Sequence, residues 1–163
     1  TRTLDRAEET LQRTNEAIAD LSHVGQAFTP DDVRARVDLQ VPFKTSPQVN
    51  ADVDIRYGRN PNAFWRVGVR NVGESEALTL QRAFPVGRDR LRLGLTSGKV
   101  GAGYDVDLSP QMSLEADVWD PNDVHVDLRG SYRLMPRVDV LLGFSDIGDR
   151  SDPFVGVSYR TGR

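Results

Sequence analysis

Val33-Arg34-Ala35-Arg36-Val37-Asp38-Leu39-Gln40-Val41, followed after a short break by Val49-Asn50-Ala51-Asp52-Val53-Asp54-Ile55-Arg56-Tyr57, is the stretch that decides the fold. In both runs every odd position is apolar and every even one is charged or carries an amide. A period of two sends alternate side chains to opposite faces of an extended chain, so each run reads as a strand with one apolar and one charged face. The same alternation returns around residues 65–69, 78–80, 91–95, 100–108, 112–118, 124–132, 138–144 and 154–159. Between these runs lie turn-forming residues: 58–62, Ser97-Gly98-Lys99, Ser109-Pro110-Gln111, Asp120-Pro121-Asn122-Asp123, Met135-Pro136 and 148–153. Links this short join antiparallel neighbours, because a parallel pair needs a crossover of about a dozen residues. A long twisted meander exposes two bare edges unless it closes. The sequence therefore predicts an all-β, antiparallel up-and-down β-barrel of about 8–10 strands over residues 33–160.

Upstream the period changes. Leu4, Ala7, Leu11, Thr14, Ile18 and Leu21 recur at three- and four-residue steps among charged residues, which predicts one amphipathic α-helix over residues 1–28. Gly25 and Pro30 mark its end. The apolar seam is narrow, as in a coiled coil, so Leu4, Leu11, Ile18 and Leu21 are candidates for a helix seam joining copies into a homo-oligomer. The plainer reading is a helix lying on its own barrel. Because the chain opens inside a helical pattern, the expectation is that it continues upstream and that any targeting segment lies there.

Composition narrows the function. With 21 basic against 24 acidic residues the net charge is −3, which offers no bulk attraction to nucleic acid. The absence of cysteine removes disulfides, thiol catalysis and thiolate metal sites. No run approaches the roughly 18 apolar residues of a membrane-crossing helix.

Periodicity leaves open which face of the barrel is inside. A water-soluble barrel would bury the Val/Ala/Leu face; an outer-membrane barrel would turn it to lipid and hold the charged face in its lumen. Strands of about nine residues, an uncharged apolar phase in the clearest strands, and Tyr57, Trp65, Trp119, Tyr132 and Tyr159 at strand ends favour the membrane version. The 7% aromatic content, the short loops and the lack of a terminal aromatic count against it. In the membrane version Arg66, Arg70, Asp105, Asp117 and Arg129 form a lumenal charge network; in the soluble one they are a surface network.

Catalytic chemistry is not legible. His23 and His125 are far apart in sequence and neither has a neighbouring nucleophile or acid at a telling spacing. Asp146, Asp149 and Asp152 share a glycine-containing loop, but without the spacing of a calcium loop they read as a solvated acidic turn. Gly98, Gly101 and Gly103 have no following helix to complete a phosphate cradle, and read as strand glycines that permit curvature. No enzyme, cofactor or metal is expected.

The segment Leu91-Arg92-Leu93-Gly94-Leu95-Thr96-Ser97-Gly98-Lys99-Val100-Gly101-Ala102-Gly103-Tyr104, with Met112-Ser113-Leu114-Glu115-Ala116-Asp117-Val118-Trp119-Asp120, resembles the C-terminal region of some bacterial MCE (mammalian cell entry) family proteins. Residues 125–133, 138–146 and 154–159 resemble it too, and the helix of residues 4–21 looks like the end of that family's helical stalk. The resemblance implies a non-catalytic module of an envelope lipid-transport protein. Such a module would anchor or dock a lipid shuttle at the outer membrane, with phospholipid or membrane and ABC-type transporter subunits as partners. The alternative is a soluble periplasmic β-barrel that binds a small apolar ligand or a partner protein.

Overall fold

The computed structural model describes Gln12, Glu16 and residues 33–56, 58–148 and 150–161. Ten strands follow one another: β1 (Val33–Pro42), β2 (Gln48–Arg56), β3 (Phe64–Arg70), β4 (Ala77–Val86), β5 (Asp89–Thr96), β6 (Lys99–Asp107), β7 (Met112–Trp119), β8 (His125–Met135), β9 (Val138–Ser145) and β10 (Asp152–Arg160). Each pairs antiparallel with the next, and β1 pairs with β10 from Arg36↔Arg160 to Pro42↔Phe154, so the sheet closes with no free edge. Apart from Gln12 and Glu16, the helix expected over residues 1–28, with its seam Leu4, Leu11, Ile18 and Leu21, lies outside the described residues, as do His23, Tyr57 and Asp149.

Turn chemistry sets the local geometry. Between β5 and β6, Ser97 (φ 51°) and Gly98 (φ 74°) both adopt positive φ, the two-residue hairpin whose twist matches that of the strands it joins. Strand β4 is longer than residues 78–80: Arg82 interrupts the apolar phase and Pro85 the inward phase, without ending the ladder, for Arg82 pairs with Trp65 and Leu93, and Pro85 with Arg90. Arg82 thus falls on the otherwise apolar phase. Its guanidinium lies over the rings of Phe84, at 5.1 Å, and Trp65, at 5.6 Å, in two cation–π contacts.

The structure decides the inside–outside question. The buried side chains are chiefly polar: Arg92, Gln81, Thr79, Thr96, Asp38, Asp139 and Ser158 are the largest of those that are fully enclosed. Leu39, Val41, Leu78, Leu80, Leu93, Val118, Leu142, Val155 and Val157 are exposed on the outer surface. Ala51 and Val53 of the same phase on β2 are buried, and the apolar lumenal residues are few, among them Phe64, Leu141 and Phe154. The alternation is intact; it is turned inside out relative to a water-soluble barrel.

The ten-strand meander brings the start of β1 and the end of β10 to one mouth, here called the terminal mouth, with the β2–β3, β4–β5, β6–β7 and β8–β9 turns. The other five connections form the far mouth. Strands of about nine residues rising ~3.3 Å each and tilted ~40° span roughly 23 Å, close to the ~25 Å apolar band of a bilayer-spanning barrel. Near the terminal mouth, Trp65, Phe84, Tyr104, Tyr132 and Tyr159 all stand outward and exposed. The Tyr104 hydroxyl donates to Asp89 Oδ2 at 2.9 Å, leaving its ring on the apolar side.

Candidate functional site

The lumen holds the chemistry. Its most enclosed cluster is built on Arg92 of β5, whose side chain is 1% exposed. Its Nε and Nη2 donate to Asp105 of β6 at 2.7–3.0 Å, and Nη1 donates to Gln81 Oε1 at 2.6 Å and to Asp117 Oδ1 of β7 at 2.8 Å. Gln81 in turn donates to Thr96 Oγ1 at 2.6 Å. A buried guanidinium is tolerable only with its donors satisfied and its charge opposed, and here strands β4 to β7 supply both.

A second cluster ties opposite walls together. Glu115 of β7 accepts from Arg36 of β1 at 2.7 Å and from Arg129 of β8, and lies 3.8 Å from Arg66 of β3. Arg36 also donates to Asp52 at 2.9 Å, Arg129 to Asp38 at 2.6 Å, and Arg66 grips Asp54 with two parallel bonds of 2.7 and 2.9 Å. Fork-to-carboxylate pairing of this kind fixes geometry as well as charge, which a lysine could not do.

All five charges singled out from the sequence stand in the lumen. Arg70 lies 3.5 Å from Asp117 and 3.2 Å from Asp127, so it joins the Arg92 cluster; Asp105 belongs to it as well. Arg66 and Arg129 belong to the Glu115 cluster. The residues that organise both groups, Arg92, Glu115, Arg36 and Asp38, were missed by sequence reasoning. Their signal was there, since each holds the charged phase of its strand; what sequence could not rank is which charges meet across the bore.

Glycines make the room. A Cβ on Gly103 would sit 2.5 Å from the Arg92 guanidinium carbon and 2.6 Å from Asp117 Oδ1, and one on Gly143 would sit 2.7 Å from the Phe154 ring. On the outer face, by contrast, a Cβ on Gly130 would meet nothing nearer than 3.7 Å. We expect Gly103→Ala to destabilise the barrel by about 1–3 kcal/mol, because the two sides of the Arg92–Asp117 pair cannot both retreat. Gly130→Ala should change stability by less than about 0.5 kcal/mol. Parallel urea titrations of the two variants measure the contrast.

At the far mouth the acidic loop is used internally. Asp152 accepts from the backbone N–H groups of Phe43 at 3.1 Å and Lys44 at 2.9 Å and from the Thr45 hydroxyl at 2.9 Å, which pins the β1–β2 connection. Asp146 bonds His125 Nδ1 at 2.6 Å, and the His125 ring stacks on Trp119 with centroids 5.5 Å apart. Trp119 therefore faces the lumen and is not part of an outer girdle. Among the described residues no group of His, Asp or Glu has the arrangement of a metal site.

At the terminal mouth the lumen opens into a vestibule of about 970 Å³. Arg34, Arg36, Arg56, Arg66, Arg90 and Arg160 line its wall, with Arg88 and Arg133 at the rim, against four carboxylates, Asp54, Asp105, Asp107 and Glu115. An apolar arc of Phe64, Leu108, Met112 and the adjoining prolines completes it.

Fold and lumen together define a class: a closed, ten-stranded antiparallel barrel, apolar outside and charged within. Residues 74–160, more than half of the chain, match a family described as a lipocalin-like domain, and the chain belongs to that family. No curated protein matches the sequence. Among solved structures, a chain described as "De novo design of transmembrane beta-barrels" aligns at 16% identity with a TM-score of 0.40, covering 82% of this chain and 98% of its own. The solution NMR structure of the de novo designed TMB2.3 aligns at 11% identity with a TM-score of 0.47, covering 82% of this chain and 96% of its own.

The family match corrects the resemblance to MCE proteins. The segments that carried it, from Leu91 to Tyr159, lie within the lipocalin-like stretch, and nothing ties the chain to the MCE family. Alternating strands with Gly/Ser turns are common to many barrels, so they could not discriminate. The lipid-shuttle docking role and the ABC-type transporter partners rested on that resemblance and fall with it. The match favours, in a general way, the other expectation of a ligand-binding barrel.

Proposed function

We propose that this chain is a non-catalytic β-barrel of the outer-membrane type, with lipid against its apolar outer face and its lumen closed by ion pairs. The observation that carries this reading is the inverted distribution of side chains. Water-soluble monomers rarely expose a continuous apolar patch beyond a few hundred Å². Here apolar side chains stand outward on most strands while Arg92, Asp105 and Asp117 are enclosed. The outward aromatic residues at the terminal mouth fit the interface between lipid tails and headgroups. The interlocked Arg92 cluster argues for a plugged barrel, not an open channel.

The two tryptophans provide the test, since Trp65 stands outward and Trp119 faces the lumen. After folding into vesicles of brominated phosphatidylcholine, the Trp119→Phe variant, which retains Trp65, should lose most of its fluorescence relative to unbrominated vesicles. The Trp65→Phe variant should be quenched far less. A chain that stays monodisperse in water without detergent and shows no quenching in either variant would sink the bilayer reading.

A second reading has its own support in the family match. Lipocalin barrels hold one small ligand, and the vestibule is a cavity of suitable size. The enclosed bore is charged, so an apolar ligand deep in the barrel is disfavoured. A ligand would sit at the terminal mouth.

A further inference from the structure

The geometry points to the vestibule as a binding site for a phosphate-bearing anion. This deepens the ligand-binding reading by naming the class of ligand. It is independent of whether lipid or water covers the outer face, because the vestibule opens along the barrel axis.

Charge is the first argument. Eight arginines and four carboxylates line the vestibule, and Asp38, Asp52 and Asp139 behind its wall pair with Arg36, Arg133 and Arg160, so a small positive excess remains in a chain whose net charge is −3. The turns extend the asymmetry: Arg59 and Arg137 add to the terminal mouth, whereas at the far mouth Glu74, Glu76, Asp120, Asp123 and Asp146 outnumber Lys44, Lys99 and Arg150. A concave, low-dielectric site of one sign concentrates ions of the opposite sign.

Donor chemistry is the second. Every cation lining the cavity is an arginine, with no lysine among them. The planar five-donor fork of arginine matches the oxygens of a phosphate group. Arg36, Arg90 and Arg160 line the vestibule and each keep a buried Nε–H that makes no hydrogen bond, although that of Arg36 lies 3.4 Å from Asp38 and that of Arg90 3.6 Å from Asp105. Their carboxylate partners satisfy other nitrogens, as Asp107 does for both Nη atoms of Arg90. Arg88, at the rim, has no ion-pair partner among the described residues. The vestibule thus differs from the Arg92 cluster, where Arg92 and Arg70 face three carboxylates, Asp105, Asp117 and Asp127.

Size and wall are the third. At about 970 Å³ the vestibule exceeds what a bare phosphate would fill, and Leu108 and Met112, 60% and 46% exposed, offer an apolar surface beside the arginines. A phosphate carried on a larger body satisfies both. Phospholipid headgroups and free phosphorylated solutes share this chemistry.

The test titrates the purified chain, held in a neutral detergent or in whatever medium keeps it monodisperse, with inorganic pyrophosphate and separately with dihexanoyl-phosphatidylglycerol, by calorimetry. Binding of pyrophosphate would place the source among free solutes, and binding of the short-chain lipid alone would place it among headgroups; both support the proposal. The double variant Arg88→Gln/Arg133→Gln should weaken binding at least tenfold. Lys99→Gln/Arg150→Gln, which removes the same charge at the far mouth, should leave it unchanged. Failure of both probes to bind, or equal losses in the two variants, would overturn the proposal. Retained binding of the neutral apolar probe N-phenyl-1-naphthylamine without either anion would overturn the phosphate assignment while leaving a ligand-binding barrel standing.

Discussion

Replacing Arg92 by methionine should lower the stability of the folded barrel by about 3–5 kcal/mol, the cost of leaving buried carboxylates without their cation. Arg92 is the shared partner of Asp105, Asp117 and Gln81, and its side chain is 1% exposed. Methionine fills much of the volume, so the loss reports charge and hydrogen bonding more than a cavity. Adding Asp105→Asn and Asp117→Asn to Arg92→Met should recover a large part of it, since the amides carry no charge to strand. Equilibrium urea unfolding followed by Trp119 fluorescence checks both steps. A loss below about 1 kcal/mol would mean that water reaches these carboxylates and that the lumen is not plugged there.

Leu142→Arg should cost about 2–4 kcal/mol if the outer face meets lipid, because Leu142 sits near the middle of β9, where an outward charge lies deep in the bilayer. It is 59% exposed and contributes nothing to the lumen. On a barrel surrounded by water the same change should fall within about ±0.5 kcal/mol. Unfolding in phosphatidylcholine vesicles separates the two outcomes. Arg82 shows how a charge is accommodated on this face: near the middle of β4, its guanidinium is laid across Trp65 and Phe84.

How far the sequence could be read differs element by element. Strands β1 and β2 are fully legible because Val33 to Val41 and Val49 to Ile55 alternate without a fault, whereas β4 was cut short by Arg82 and Pro85, residues that only pairing with β3 and β5 keeps in register. The outward aromatics were partly legible. Trp65, Tyr132 and Tyr159 stand outward as strand ends suggest, but Trp119 turns inward onto His125, and Phe84 and Tyr104 were passed over. The lumenal charges could be named by phase; their partners could not, because Arg36 and Glu115 lie on opposite walls and 79 residues apart.

Sequence alone determined the strands, their number within a narrow range, their antiparallel order and the closure of the sheet. Those follow from local facts: a two-residue period and turns too short for crossovers. It did not determine which face is inside, because alternation is symmetrical about the plane of a sheet and only curvature breaks that symmetry. One asymmetry in the sequence does bear on it. Gly68, Gly94, Gly103, Gly143 and Gly156 all fall on the charged phase, and a Cβ on any of them would collide with a neighbour. The concave side of a closed sheet has the least room per residue, so the face that carries the glycines is the one that can turn inward. In the tertiary structure that face also brings Arg92 against Asp105 and Asp117, and the pairing makes an enclosed charged lumen tolerable.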